Sequence, residues 1–175
     1  MRIIAGKYRG KTLAAFKGRD IRPTADRVKE SLFNILAPEI SGANVLDLFC
    51  GSGGVGLEAL SRGADYVVFN DMSKESLAVL RKNCAALRVN PKIYNLDFRE
   101  LLSSLDVTFD IIYIDPPYKS NYGREALEII ARRGLLNTGG VAVFESDRPF
   151  EGETGLIRYD ERKYGVTYLT FFSPD

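Results

Sequence analysis

With 175 residues, 45% of them apolar and 27% charged, the chain is expected to fold as a single domain (residues 1–175) around one core. It has no histidine and two cysteines, Cys50 and Cys84, without cluster spacing, so imidazole chemistry is excluded and neither a disulfide framework nor a metal is expected. The net charge of +1 hides an asymmetry: nine basic and three acidic residues make segment 1–30 +6 and leave −5 for the rest, which suggests that one end contacts a polyanion.

In chain order, "RIIAGKYRGKTLAAF" (2–16) alternates apolar and basic residues around Gly6 and Gly10, the pattern of a β-hairpin or extended arm. "IRPTADRVKESLFNIL" changes period: Thr24 is the expected N-cap, Val28, Leu32 and Ile35 form a helical stripe, and Pro38 stops it. "ANVLDLF" is a buried strand leading into a glycine loop and a helix that ends near Gly63. "DYVVFND" is the next strand, and Ser73 caps the helix "KESLAVLRKNCAALRV". "KIYNLDF" is a third strand before the short helix "RELLSSL", and "FDIIYID" a fourth and the most apolar. A helix, "GREALEIIARRGLL", precedes a fifth strand, "GGVAVFES", and two aromatic-rich runs around Gly165 read as a closing antiparallel hairpin. Strands alternating with helices predict an α/β fold: a mostly parallel, doubly wound sheet of about seven strands from residue 42 onward, behind a basic extension over 1–41. No apolar run reaches the ~18 residues of a membrane helix and no signal core follows the N-terminus, so the expected location is the cytoplasm.

"VLDLFCGSGGVGLEAL" contains Gly51-x-Gly53-x-x-Gly56 after a strand and before a helix. Glycines there allow a tight turn and close approach of a ligand to the free N–H groups of the helix N-terminus. Asp71 ends the next strand 20 residues after Gly51, where a carboxylate accepts from ribose hydroxyls, with Met72 beside it. Asp47, four residues before Gly51, would repel a pyrophosphate but suits a ligand with a cationic amino-acid end, such as S-adenosylmethionine; Ser52 lies within the same loop. Asp97 closes the third strand, either as acceptor for the adenine amine with Phe98 against the ring, or as N-cap of the helix that follows. Asp47, Asp71, Asp97 and Asp115 thus stand at the ends of four successive strands, the edge at which open α/β sheets bind ligands.

"IIYIDPPYKSNYG" (111–123) ends the fourth strand on Asp115, Pro116, Pro117 and Tyr118. An exocyclic base amine is a poor nucleophile because its lone pair is conjugated with the ring. Accepting both of its N–H groups, one by Asp115 and one by the Pro116 carbonyl held by the rigid proline pair, draws the nitrogen toward a pyramid. Tyr118 offers a face for a flipped-out base. The residues alone leave three readings open: an RNA base amine, a DNA or protein amide, or an oxidoreductase that uses the glycine loop only. Asp47 and "DPPY" disfavour the last, and 175 residues leave no room for a DNA target-recognition domain.

The loop, the acidic strand ends and "DPPY" resemble those of Rossmann-like class I methyltransferases that act on amines. "RIIAGKYRGKTL", "RPTADRVKESLFNIL" and "GSGGVGLEALSRGA" more specifically resemble the RsmD family, over nearly the whole chain to "KYGVTYLTFF". The resemblance implies S-adenosylmethionine-dependent methylation of the 2-amino group of a guanine in bacterial small-subunit (16S) ribosomal RNA, on an assembling ribonucleoprotein particle; the protein itself is expected to be a monomer. It further implies that Asp47, Gly51 and Gly53 hold the methionine end, Asp71 the ribose, Asp97 and Phe98 the adenine, and Asp115, Pro116 and Tyr118 the target amine. Members often carry Glu after the second strand and Phe after the prolines; here Asn70-Asp71 and Tyr118 stand in those places. Arg2, Lys7, Arg9, Lys11, Arg22 and Arg27 are then the expected phosphate contacts, with a structural ion pair as the alternative for Arg27.

Overall fold

A computed structural model describes residues 1–15, 23–117 and 120–174 of the chain. The elements are α1 (Pro23–Ile35), β1 (Asn44–Asp47), α2 (Gly54–Ser61), β2 (Tyr66–Asn70), α3 (Lys74–Leu87), β3 (Lys92–Tyr94), α4 (Phe98–Ser104), β4 (Phe109–Ile114), α5 (Tyr122–Arg133), β5 (Leu136–Ser146), β6 (Ile157–Tyr164) and β7 (Thr167–Ser173). The strands form one seven-stranded sheet in the order β3-β2-β1-β4-β5-β7-β6. The first five are parallel, and β7 pairs antiparallel with both β5 and β6. Strand order reverses between β1 and β4, which places a switch point there.

Alternation along each strand sends side chains to two cores. Val45, Val67, Phe69, Ile111 and Tyr113 pack with α1, α2 and α3 on one face. Leu46, Val68, Ile112 and Ile114 pack with α4 and α5 on the other. The closing hairpin is inserted with its second strand inward. Polarity explains the choice: β7, "TYLTFFS", buries Leu169, Phe171 and Phe172, whereas β6, "IRYDERKY", is largely polar and takes the edge.

The helix caps follow from local chemistry. Ser73 accepts from the Ser76 N–H ahead of α3, and α5 stops at Gly134 in the left-handed region (φ 62°). The helix α1 begins two residues earlier than expected, at Pro23, so Thr24 lies within its first turn and not ahead of it. Among the described residues no helix is long and apolar enough to cross a membrane.

The N-terminal hairpin shrinks to one antiparallel bridge, Arg2 with Thr12. Ile3, Gly10 and Leu13 N–H groups bond across it, but those of Ile4, Ala5 and Tyr8 are turned toward the body of the protein. Glu58, fully buried on α2, accepts from Ile4 N (2.8 Å) and Ala5 N (3.0 Å), while Ser61 Oγ accepts from Tyr8 N (3.0 Å). Glu58 also pairs with Arg62 (2.8 Å) and with Lys29 of α1 (3.5 Å). Asn83 of α3 binds Ala14 through both side-chain groups and donates to the Ser52 carbonyl in the glycine loop. The described part of the basic segment is therefore docked against α2 and, through Ala14, against α3.

Candidate active site at the strand edge

Residue 50 follows β1 at the switch point, and the chain turns back sharply over the next four residues. Gly51 and Gly53 have φ of 54° and 85°, the left-handed region that side chains disfavour. Among the described residues nothing lies within 4 Å of where a Cβ on Gly51 would sit, so the loop faces open space there. A Cβ on Gly56, in contrast, would lie 2.3 Å from the Phe69 ring, and this glycine serves the packing of α2 on β2.

Two acids hold the loop. Asp47 accepts from Gly56 N (2.9 Å) beneath it and is 2% exposed. Burial, opposed in part by that hydrogen bond and aided by nearby Asp71, raises its pKa to about 7. Asp71 uses both oxygens, accepting from Gly51 N and from Ser73 N, each at 2.8 Å. Met72 is 67% exposed beside it, and Asn95 donates to the Asp71 and Met72 carbonyls. Asn70, which sequence reasoning passed over, is buried, donates to the Leu48 carbonyl and accepts from Leu96 N. It ties the β2 end to its neighbours on both sides, a role visible only once strand order is known.

Asp97 is the N-cap of α4, accepting from Arg99 N (2.9 Å), and its carboxylate meets the Arg99 guanidinium at 3.3 Å. Arg99 also grips Glu125 with two bonds of 2.5 and 2.6 Å. The expectation that Phe98 lies against an adenine ring is corrected. Phe98 is 2% exposed, its ring lies 5.3 Å from both Phe49 and Tyr122, and the Arg99 guanidinium covers it at 4.4 Å. With no accessible face it is a core residue.

Asp115 directly follows β4 and is half-buried; Pro116 is buried and Pro117 exposed. The Pro117 carbonyl accepts from Ser120 N and Oγ, which closes the turn after the proline pair. Tyr118 lies outside the described residues, as does Arg22. Arg2, Lys7, Arg9, Lys11 and Arg27 are exposed, with Arg2 4.0 Å from Asp26.

The sheet order brings the acids into one row along the edge: Asp97, Asp71, Asp47, Asp115. A further pair was missed. The Tyr113 hydroxyl donates to Glu145 near the end of β5, and burial with the neighbouring carboxylates of Glu145, Asp115 and Asp47 raises the phenol's pKa. "SDRP" marks the end of β5, but only strand register shows that Glu145 stands beside the end of β4. Chemically, such an edge favours a ligand rich in N–H and O–H donors and carrying positive charge.

Comparison with known proteins agrees with this geometry. The family model described as conserved hypothetical protein 95 matches residues 1–173. The chain is 34% identical over 176 residues to the ribosomal RNA small subunit methyltransferase D of Haemophilus influenzae, covering 91% of each chain. It is 37% identical over 157 residues to the protein of that name in Escherichia coli K12, covering 89% of this chain and 77% of the relative. Among solved structures, the Escherichia coli protein yhhF, described as a candidate methyltransferase, matches with a TM-score of 0.89 and 32% identity over 100% of this chain and 98% of its own.

Proposed function

The chain belongs to the conserved hypothetical protein 95 family, that of the ribosomal RNA small subunit methyltransferases D, and from that premise we propose that it methylates the 2-amino group of a guanine in small-subunit ribosomal RNA, with S-adenosylmethionine as methyl donor. The substrate is the RNA within an assembling ribonucleoprotein particle, and the enzyme acts as a monomer.

The observation that carries this reading is the adjacency of two motifs. The glycine loop follows β1, "Asp115-Pro116-Pro117" follows β4, and β1 and β4 are parallel neighbours at the switch point. The residues present fit the cofactor: open space above Gly51, a positive φ that brings backbone close, and a row of acceptors matched to an ammonium, ribose hydroxyls and an adenine amine. Gly51, Ser52 and Gly53 would hold its amino-acid end, with the carboxylate of Asp47 acting on its charge from beneath the loop, Asp71 with Met72 its ribose, and Asp97 its adenine. When bound, the cofactor supplies an electrophilic methyl group on a sulfonium.

The chain's own part is to hold the amine. Asp115 accepts one N–H and the Pro116 carbonyl the other, which frees the nitrogen lone pair from the ring and points it at the methyl group. The proline pair fixes the backbone that carries both acceptors. Tyr118 stacks on the flipped base, a role that rests on its place in the sequence. Arg2, Lys7, Arg9, Lys11, Arg22 and Arg27 contact phosphates and position the RNA without reading its sequence. The test is methyl transfer from labelled S-adenosylmethionine to undermethylated small-subunit particles, to naked RNA, and to DNA. Label is expected in RNA and greatest with particles; label confined to DNA or protein would overturn the proposal.

A further inference from the structure

Five carboxylates, not four, line the ends of the parallel strands, and the fifth stands beside the motif that holds the amine. Ile114 pairs with Phe144 in the β4–β5 register, so the next residue along each strand is Asp115 on one side and Glu145 on the other. Tyr113 and Val143 point into the same core, and alternation returns Asp115 and Glu145 to that same side of the sheet. Tyr113 donates its hydroxyl to Glu145 Oε2, and among the described residues it is the hydrogen-bond partner of Glu145. Burial raises the pKa of Glu145 as well as that of the phenol, and the bond from the hydroxyl offsets part of the rise on Glu145; the phenol keeps its proton, so Tyr113 is the donor and Glu145 the acceptor.

Guanine presents three donor hydrogens in a row on its Watson–Crick edge: two on N2 and one on N1. In the reading above, Asp115 and the Pro116 carbonyl take the two on N2. We propose that Glu145, fixed by Tyr113, is the third acceptor: it takes the N1–H of the target guanine and makes the site selective for guanine. The inference rests on the guanine 2-amino reading and extends it from the reacting nitrogen to the choice of base. Adenine and cytosine carry a lone pair at the matching ring nitrogen, and a carboxylate facing that lone pair disfavours them. Tyr113 is a positioning residue in this scheme, since it acts through Glu145.

The experiment places either guanine or 2-aminopurine at the target nucleotide, once the methylated nucleotide has been mapped, in reconstituted small-subunit particles. 2-Aminopurine keeps the reacting 2-amino group but has a lone pair at N1. Wild-type protein is expected to favour guanine in kcat/KM by about 10- to 150-fold, the range for a hydrogen bond to a charged group. In Glu145→Gln the side-chain amide can donate to the lone pair, and that preference is expected to fall to within about threefold of unity. A Glu145 that merely satisfies a buried tyrosine would lower both rates alike and leave the ratio unchanged, and an unchanged ratio would overturn the inference. Tyr113→Phe keeps the carboxylate and releases it. It is expected to raise KM for the guanine particle more than it lowers kcat, with binding of the 2-aminopurine particle, read by its fluorescence, unaltered. Equal use of both bases by wild type would also overturn the inference, while methylation of guanine at another nitrogen would overturn the underlying reading and this one with it.

Discussion

On the β1–β2 side of the strand edge, the acids hold the protein's own backbone. Asp47 binds Gly56 N, and Asp71 binds Gly51 N and Ser73 N, so the glycine loop is already shaped. On the β4–β5 side, register sets Asp115 next to Glu145, with the Tyr113 hydroxyl on the latter. One half uses its carboxylates to shape the glycine loop, and the other sets two carboxylates in adjacent register across β4 and β5. Under the proposed function the contrast makes binding of the cofactor and reaction of the amine separable, so substitutions in each half should show different signatures.

The largest effect is expected from Asp115→Ala, which in the proposed mechanism removes an acceptor that matters most as the amine becomes pyramidal. The turnover number is expected to fall about 1,000-fold, the upper range for losing one preorganised electrostatic contact, with calorimetric affinity for S-adenosylmethionine kept within about threefold. Parallel loss of affinity and turnover would erase the distinction between the halves.

Two glycine substitutions sharpen the other half. Gly56→Ala drives a methyl group into Phe69 and is expected to cost about 1–3 kcal/mol in urea unfolding. Gly51→Ala meets no described neighbour but must adopt φ 54°, a cost of about 1–2 kcal/mol, and it fills the space offered to the cofactor. Its affinity loss should exceed that of Gly56→Ala even where its stability loss does not.

A smaller effect is expected with pH. Asp47 holds its proton to about pH 7 when folded but releases it near pH 4 when unfolded. The ligand-free protein is therefore expected to lose stability as pH rises from about 4 to 7, and Asp47→Asn to flatten that slope in denaturant melts across the range. A cationic ligand favours the ionised form, so affinity for S-adenosylmethionine should rise with pH over the same interval.

The smallest effect on chemistry is expected outside both halves. Arg9→Gln with Lys11→Gln should reduce the slope of log K for RNA against log salt by about 1.4–1.8, at 0.7–0.9 per lost phosphate contact, and leave turnover at saturating RNA nearly unchanged. An unaltered slope would remove these residues from the RNA surface.

The sequence was most legible where the relevant contacts are local. Period and punctuation located the strands, the glycine loop and the strand-end acids Asp47, Asp71 and Asp115, because each lies within one or two residues of a strand end. Ser73 was readable as a cap for the same reason. Contacts between residues far apart in the chain were not readable. Glu58 looks like any helical glutamate until Ile4, Ala5 and Lys29 are brought to it. Glu145 lies at a strand end that "SDRP" marks in the sequence, but only its register beside Asp115 relates it to the site. Phe98 misled because an aromatic after a strand-end acid suits a ligand face and a core position equally, and its packing against Phe49 and Tyr122 decides for the core. A hairpin's order in the sheet is likewise silent in local pattern, and the greater apolarity of β7 is what turns it inward.

The account's central claim is that the edge at β1, β4 and β5 is built for the 2-amino group of guanine in RNA. Mass spectrometry of nucleosides digested from small-subunit particles after reaction tests it most directly. The account predicts N2-methylguanosine as the new nucleoside with wild-type protein and its absence with Asp115→Ala. N1-methylguanosine, a methylated adenine, or no new nucleoside in the RNA would contradict it.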